Sequence, residues 1–265
     1  MLNKPALLAL ADGTVFEGIS IGASGTCEGE LVFNTAMTGY QEILTDPSYT
    51  QQIVTLTAAH IGNTGCNDED MESSRVWASG LIVRNCSLVP SNYRAKISLP
   101  EWLKRNSVIG IAQIDTRQLT IHLREYGAQS ACITTHVQDI NGAIERARAC
   151  RSMSGADLAS EVSRQALERW DEGRGVWTKK SQPLQFHVVA YDFGVKHNIL
   201  RILKDKGCHI TLVPAKTTAE EALALNPDGI FLSNGPGDPL ACDYAIEATQ
   251  AFLDKEIPIF GICLG

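Results

Sequence analysis

The sequence lacks the features by which several classes of protein are recognised. No apolar run approaches the roughly twenty residues that a membrane-spanning helix needs, and the N-terminal residues show no signal-type apolar core with a cleavage site. Basic residues are in deficit, with 23 Lys and Arg against 30 Asp and Glu and a net charge of −7. We therefore expect a cytoplasmic protein that binds neither membranes nor nucleic acid.

Clustered cysteines are also absent. The eight cysteines lie far apart, with no C-x-x-C pair and no histidine at ligand spacing. This spacing disfavours a zinc site or a disulfide framework, so we predict no metal site and mostly reduced core thiols, leaving room for one reactive thiol. The phosphate-binding pattern G-x-x-x-x-G-K-[ST] does not occur either.

What is present is an ordinary globular composition, with 44% hydrophobic and 20% charged residues. A length of 265 residues favours two domains. The first, predicted at residues 1–170, opens with a hairpin of strands 6–11 and 14–20, because Asp12-Gly13 supplies the positive φ of a tight turn. Its further predicted strands are 30–34, 52–57, 80–84, 108–112 and 131–134, and its predicted helices are 115–126, 139–150 and 160–170.

A polar, irregular stretch at residues 171–186 predicts a linker, with a solvated loop inside one domain as the alternative. From residue 187 to residue 265, strands alternate with single helices, which is typical of right-handed βαβ units and a parallel sheet. The predicted strands are 187–193, 210–214, 229–232 and 257–262, and the predicted helices are 195–206, 218–225 and 243–253. The predicted fold class is α/β: a mixed α/β N-terminal domain, then the first part of a doubly wound, mostly parallel-sheet domain.

Two loops at the carboxyl ends of predicted strands carry unusual residues. The last strand runs into Gly-Ile-Cys-Leu-Gly at residues 261–265, the thiol counterpart of a nucleophile elbow, in which a sharp turn lifts Cys263 above the sheet. A helix start there would favour the thiolate, which is the nucleophilic form. A buried core cysteine is the alternative, and the two flanking glycines favour the elbow.

The other loop is Ser-Asn-Gly-Pro-Gly-Asp-Pro at residues 233–239. By itself it is compatible with a plain surface turn. Glycines at a strand end can also present bare amide groups to a developing negative charge, and the residue after the nucleophile, Leu264, supplies a second donor. A thiolate beside such donors predicts attack on a carbonyl carbon through a thioester intermediate.

Together the two loops resemble those of the class I glutamine amidotransferases, which hydrolyse glutamine and pass the ammonia to a synthetase partner. The N-terminal half narrows the resemblance to the small subunit of carbamoyl-phosphate synthetase, and the similarity runs from about Ala6 to Gly265. It rests on residues 33–49, 60–63, 114–117 and 191–194, together with Lys196 and Asn198. A stand-alone anthranilate or guanylate type of amidotransferase would lack this preceding domain.

The resemblance implies a role for each matching residue. Cys263 would be the nucleophile, Gly237 and Leu264 would donate the oxyanion amides, and L-glutamine would be held by Ser48, Gly235, Gly237 and Leu264. The chain itself would carry no cofactor. The partner would be the large subunit of a heterodimer, which uses ATP, magnesium and bicarbonate to make carbamoyl phosphate for arginine and pyrimidine biosynthesis.

The family activates its cysteine with a His and a Glu that lie well beyond the nucleophile. Here all six histidines precede Cys263, and only two residues follow it. We therefore expect a sequence truncated at its C-terminus, lacking the His/Glu part of the triad and hydrolysing glutamine poorly by itself. The alternative function is that of a catalytically inactive docking module for the large subunit.

Overall fold

The computed structural model describes residues 4–178, 180 and 182–265, which form two compact units, Met1–Ser152 and Met153–Gly265. Lys179 and Ser181, which belong to the predicted linker, lie outside the described residues. Within those ranges, every helix is too short or too polar to cross a membrane.

The first unit is built on a closed sheet of seven strands in the order β1-β2-β6-β5-β4-β3-β7, with β7 pairing back onto β1. Its core lies inside this sheet and between the sheet and its helices. The elements are β1 (Pro5–Leu10), β2 (Val15–Ser20), β3 (Thr26–Asn34), α1 (Tyr40–Thr45), β4 (Gln52–Ile61), β5 (Gly80–Cys86), α2 (Leu99–Arg105), β6 (Ile109–Ala112), α3 (Thr116–Tyr126), β7 (Gln129–Thr134) and α4 (Ile140–Ala149).

Most predicted elements of this unit are confirmed. The opening hairpin pairs β1 with β2 antiparallel, and Gly13 in its turn has a φ of 98°. The predicted helix at 115–126 is α3, whose first amides donate to the Asp115 side chain. The short helices α1 and α2 were not predicted.

The second unit contains a five-stranded sheet in the order β12-β11-β9-β10-β8. Four strands run parallel, and β8 is an antiparallel edge strand paired with β10. This confirms the α/β fold class with a mostly parallel sheet. The elements are α5 (Leu158–Val162), β8 (Glu168–Trp170), β9 (Phe186–Asp192), α6 (His197–Asp205), β10 (Cys208–Pro214), α7 (Ala219–Ala224), β11 (Gly229–Leu232), α8 (Asp243–Asp254) and β12 (Ile259–Gly261).

The helix predicted at 160–170 is wrong. Helix α5 covers only Leu158–Val162, and the chain then forms β8. Ser163 ends the helix and accepts a hydrogen bond from the Ala215 amide at 2.8 Å, while Trp170 is buried opposite Ile210 of β10. Pairing with a distant strand therefore overrides the local helical pattern.

The division between the units also falls earlier than the predicted linker at 171–186. Residues 153–170, predicted in the first domain, belong to the second unit because α5 and β8 pack on its sheet. The linker stretch itself is anchored to the buried Asp205 carboxylate, which accepts hydrogen bonds from Arg174 Nε at 2.8 Å and Thr178 Oγ1 at 2.5 Å.

Candidate active site

The structure brings the two predicted loops together. Strands β11 and β12 are neighbours in the parallel sheet, with Leu232 opposite Gly261, so both loops leave the same edge. The Gly265 amide donates a hydrogen bond to the Ser233 carbonyl oxygen at 3.2 Å. The cysteine loop and the glycine loop are therefore directly joined, at the sheet edge where ligands bind in folds of this type.

Cys263 has the backbone of a nucleophile elbow. Its φ is 57°, a left-handed conformation that is uncommon for a residue with a Cβ and marks a sharp turn. The flanking glycines permit this turn, because a Cβ on Gly261 would collide with the Gly265 carbonyl oxygen and one on Gly265 with that of Leu232. The left-handed turn expected at Cys263 is therefore present, and its role as the nucleophile stays a prediction.

All eight cysteines are free thiols, and Cys263 is the exposed one among them. Burial raises the pKa of the half-buried Cys27 and that of the buried Cys66 to about 12 each. Those thiols stay protonated at neutral pH and are poor nucleophiles. Exposure and elbow geometry thus single out Cys263 as the candidate nucleophile.

None of the six histidines forms a hydrogen bond with Cys263 among the described residues. His187 and His209 stack with ring centroids 4.3 Å apart at the amino ends of β9 and β10, which is the opposite edge of the sheet. His197, at the start of α6, packs on the Trp170 ring at 4.9 Å.

The glycine loop is held by buried polar side chains. Ser233 Oγ accepts a hydrogen bond from the Phe193 amide at 2.9 Å. Asn234 donates from Nδ2 to the Gly194 carbonyl oxygen at 2.9 Å and accepts from the Lys196 amide at 3.2 Å. These bonds tie the loop after β11 to the loop after β9. Sequence reasoning gave Ser233 and Asn234 no role of their own, although both lie inside the motif.

The two loop glycines differ in why they are needed. Gly235 is buried, and a Cβ there would collide with the Phe193 carbonyl oxygen. Gly237 has a φ of 96°, and a Cβ there would lie 2.7 Å from the Ala156 carbonyl oxygen. Within the part of the chain that the structure describes, the N–H groups of Gly237 and Leu264 donate no hydrogen bond. Their use as oxyanion donors stays a prediction.

Ser48 lies in the first unit, in a short 3-10 segment at Pro47–Tyr49. Its amide donates to Asp46 Oδ1 at 2.9 Å, the turn geometry that Asp-Pro-Ser favours. Its binding of glutamine stays a prediction.

Comparisons with known proteins match a part of each unit. Residues 8–133 match the family model described as carbamoyl-phosphate synthase small chain, CPSase domain, and residues 189–265 match that of glutamine amidotransferase class-I. Carbamoyl phosphate synthase small chains from Pseudomonas aeruginosa and Pasteurella multocida are each 59% identical to this chain, over 273 and 267 residues. These alignments cover 100% of this chain and 72% and 69% of the two relatives.

Proposed function

Because this chain belongs to the family of carbamoyl-phosphate synthase small chains, we propose that Cys263 hydrolyses L-glutamine to supply ammonia for carbamoyl phosphate synthesis. The observation that carries this proposal is an exposed cysteine in a left-handed elbow, joined to a glycine loop with unused N–H donors. The partner is the large synthase chain, with which this chain forms a heterodimer.

The chemistry follows from these groups. The Cys263 thiolate attacks the side-chain carbonyl carbon of glutamine, a C–S bond forms, and the carbonyl π electrons move to oxygen. The N–H groups of Gly237 and Leu264 stabilise the resulting oxyanion. Collapse of this intermediate breaks the C–N bond, and the nitrogen leaves as ammonia after taking up one proton, which balances the proton that the Cys263 thiol lost on forming the thiolate. Water then cleaves the thioester to give glutamate and the free thiol.

Substrate binding is assigned to the same edge. Gly235, Gly237 and Leu264 are proposed to hold glutamine, and Ser48 is proposed to bind it as well. The chain itself is proposed to carry no cofactor. ATP, magnesium and bicarbonate are used by the large chain, in the cytoplasm, and the product serves arginine and pyrimidine biosynthesis.

The direct test is Cys263→Ser in the full-length small chain paired with the large chain. Glutamine-dependent carbamoyl phosphate synthesis is expected to disappear, while ammonia-dependent synthesis is expected to remain, since only glutamine hydrolysis needs the thiolate. Equal loss of both activities would contradict the assigned role.

One observation favours the alternative, a docking module without chemistry: no histidine is bonded to Cys263 among the described residues. Incubation of the 265-residue polypeptide with a glutamine-directed electrophile, followed by intact mass measurement, separates the two. An adduct at Cys263 supports an assembled elbow, and its absence supports docking alone.

A further inference from the structure

Gly237 and Asp238 pack against residues 155–158, a segment that neither family model matches. Residues 155–158 lie between the matched ranges 8–133 and 189–265. The Gly155 amide donates to Asp238 Oδ2 at 3.1 Å, and the Asp238 amide donates to the Ala156 carbonyl oxygen at 3.3 Å. The segment is therefore hydrogen-bonded to the residue next to Gly237.

Residues 156–158 also lie close to the Gly237 backbone. The position of a Cβ on Gly237 would be 2.7 Å from the Ala156 carbonyl oxygen and 3.1 Å from the Leu158 nitrogen. The peptide groups on both sides of Asp157 thus form a wall, residues 156–158, that packs against the Gly237 backbone. A displacement of residues 156–158 would therefore leave the Gly237 backbone room to move.

The Asp157 side chain fixes this wall to the rest of the unit. Its Oδ1 accepts hydrogen bonds from the Ser160 amide at 3.1 Å and from the Tyr244 hydroxyl at 2.8 Å. Its Oδ2 lies 3.6 Å from Lys216 Nζ. One carboxylate therefore connects the segment to α8 through Tyr244 and to the loop after β10 through Lys216.

We propose that Asp157 is a positioning residue for glutamine hydrolysis, which holds residues 156–158 against Gly237 and so aims the Gly237 N–H at the oxyanion. The inference rests on the proposed function, because it requires Gly237 to be an oxyanion donor. Hydrogen-bond acceptance by Asp157 is the essential property, since two of its partners are neutral donors.

The electrostatics agree with a permanently charged side chain. Burial by itself would raise the pKa of Asp157, but the hydrogen bonds from Ser160 and Tyr244 and the charge of Lys216 together lower it below its ordinary value. Asp157 therefore accepts from both donors throughout the neutral pH range.

The experiment compares Asp157→Ala, Asp157→Asn and Tyr244→Phe in the full-length small chain paired with the large chain. Asp157→Ala is expected to lower kcat for glutamine hydrolysis by about 10- to 100-fold, the size of effect that a small misplacement of a catalytic group produces. KM and ammonia-dependent synthesis are expected to stay close to wild type. Asp157→Asn, which can still accept both bonds, is expected to recover most of kcat.

Two variants outside Asp157 keep the test decisive. Tyr244→Phe removes one hydrogen bond to Asp157 and leaves residues 156–158 unchanged. It is expected to lower kcat by a smaller factor than Asp157→Ala, and it still tests the proposal if Asp157→Ala folds poorly. Thr218→Ala removes the cap of α7 in the same unit, and within the described residues the Thr218 side chain bonds only to Glu221. It is expected to leave kcat unchanged.

A wild-type kcat in both Asp157→Ala and Tyr244→Phe would overturn the positioning role, as would a loss in Asp157→Asn equal to that in Asp157→Ala. Parallel loss of ammonia-dependent synthesis would also overturn it, because it would indicate general damage. Cys263→Ser is measured alongside. If Cys263→Ser keeps glutamine-dependent synthesis, the proposed function fails. If Cys263→Ser loses glutamine-dependent synthesis while the Asp157 variants keep it, only the positioning role fails.

Discussion

Asp192 Oδ2 accepts two hydrogen bonds from Arg164, one from its backbone amide at 3.2 Å and one from Nε at 3.0 Å. The two side chains are largely buried, with exposed fractions of 8% and 17%. Asp192 Oδ1 also accepts from the amides of Gly194 and Val195 at 3.0 and 2.9 Å. A single carboxylate at the end of β9 therefore connects the segment before β8 to the loop that supports the glycine loop.

Removing the Arg164 side chain is expected to destabilise the second unit. Arg164→Ala leaves the Asp192 charge buried without its ionic partner, and we expect the free energy of unfolding to fall by about 3 kcal/mol. Urea denaturation measures this change. Arg169→Ala is the matched control, because the Arg169–Asp171 pair is exposed and should contribute less than about 1 kcal/mol. Equal effects of the two substitutions would contradict the interpretation.

The Arg164–Asp192 pair also illustrates where sequence reasoning fails. Most strands and helices of both units were predictable because their apolar periodicity is local, whereas the short helices α1 and α2 were not. Strand β8 has three residues, too few for an alternating pattern, and it exists because β10 offers a partner. The segment 153–170 was consequently placed in the wrong unit.

The candidate site shows the same contrast. Cys263 and the glycine loop were predictable because each belongs to a short motif directly after a strand. Asp157 was not, since an Asp that begins a helix is a common cap. Its contacts with Tyr244 and Lys216 span large separations along the chain that no local pattern reports.

A buried hydroxyl in β4 predicts a stabilising substitution. Thr55 is fully buried, and its Oγ1 has no hydrogen-bond partner among the residues that the structure covers. Thr55→Val keeps the shape and removes the unpaired group, so the free energy of unfolding should rise by about 1 kcal/mol.

Thr45→Val is the matched control for Thr55→Val, measured by the same urea denaturation. Thr45 Oγ1 donates to the Gln41 carbonyl oxygen at 2.8 Å and accepts from the Glu72 amide at 2.9 Å. Its loss should lower the free energy of unfolding by about 1 to 3 kcal/mol. The same sign of change in both variants would refute the assignment of Thr55 as unpaired.

His197 predicts a pH dependence of stability. Burial, followed by the positive charge of Arg201, lowers the pKa of His197 in the folded protein. The unfolded chain binds a proton near pH 6.5 while the folded chain does not, so the free energy of unfolding should fall as the pH drops below about 6.5.

Urea denaturation between pH 7.5 and pH 5.5 measures this slope. Burial also lowers the pKa of His209, so His197→Gln should reduce the slope without abolishing it. An unchanged slope in His197→Gln would show that the histidine is protonated alike in both states.

Gly237 gives the sharpest test of the oxyanion assignment. In Gly237→Ala the new Cβ would meet the Ala156 carbonyl oxygen at 2.7 Å, so the loop must shift and the N–H is misdirected. Loss of one oxyanion donor is expected to lower kcat for glutamine hydrolysis by about 100-fold or more. Release of glutamate by the full-length small chain paired with the large chain measures this loss.

Gly175→Ala separates this effect from backbone strain. Gly175 also has a positive φ, of 54°, but nothing lies within 4 Å of its Cβ position. Each substitution should cost about 1 to 2 kcal/mol of stability for placing a Cβ in a left-handed conformation. Only Gly237→Ala should lose glutamine hydrolysis, because only there does the backbone strain coincide with a collision that moves the donor. A comparable loss in Gly175→Ala would mean that general destabilisation, and not the direction of one N–H, limits the reaction.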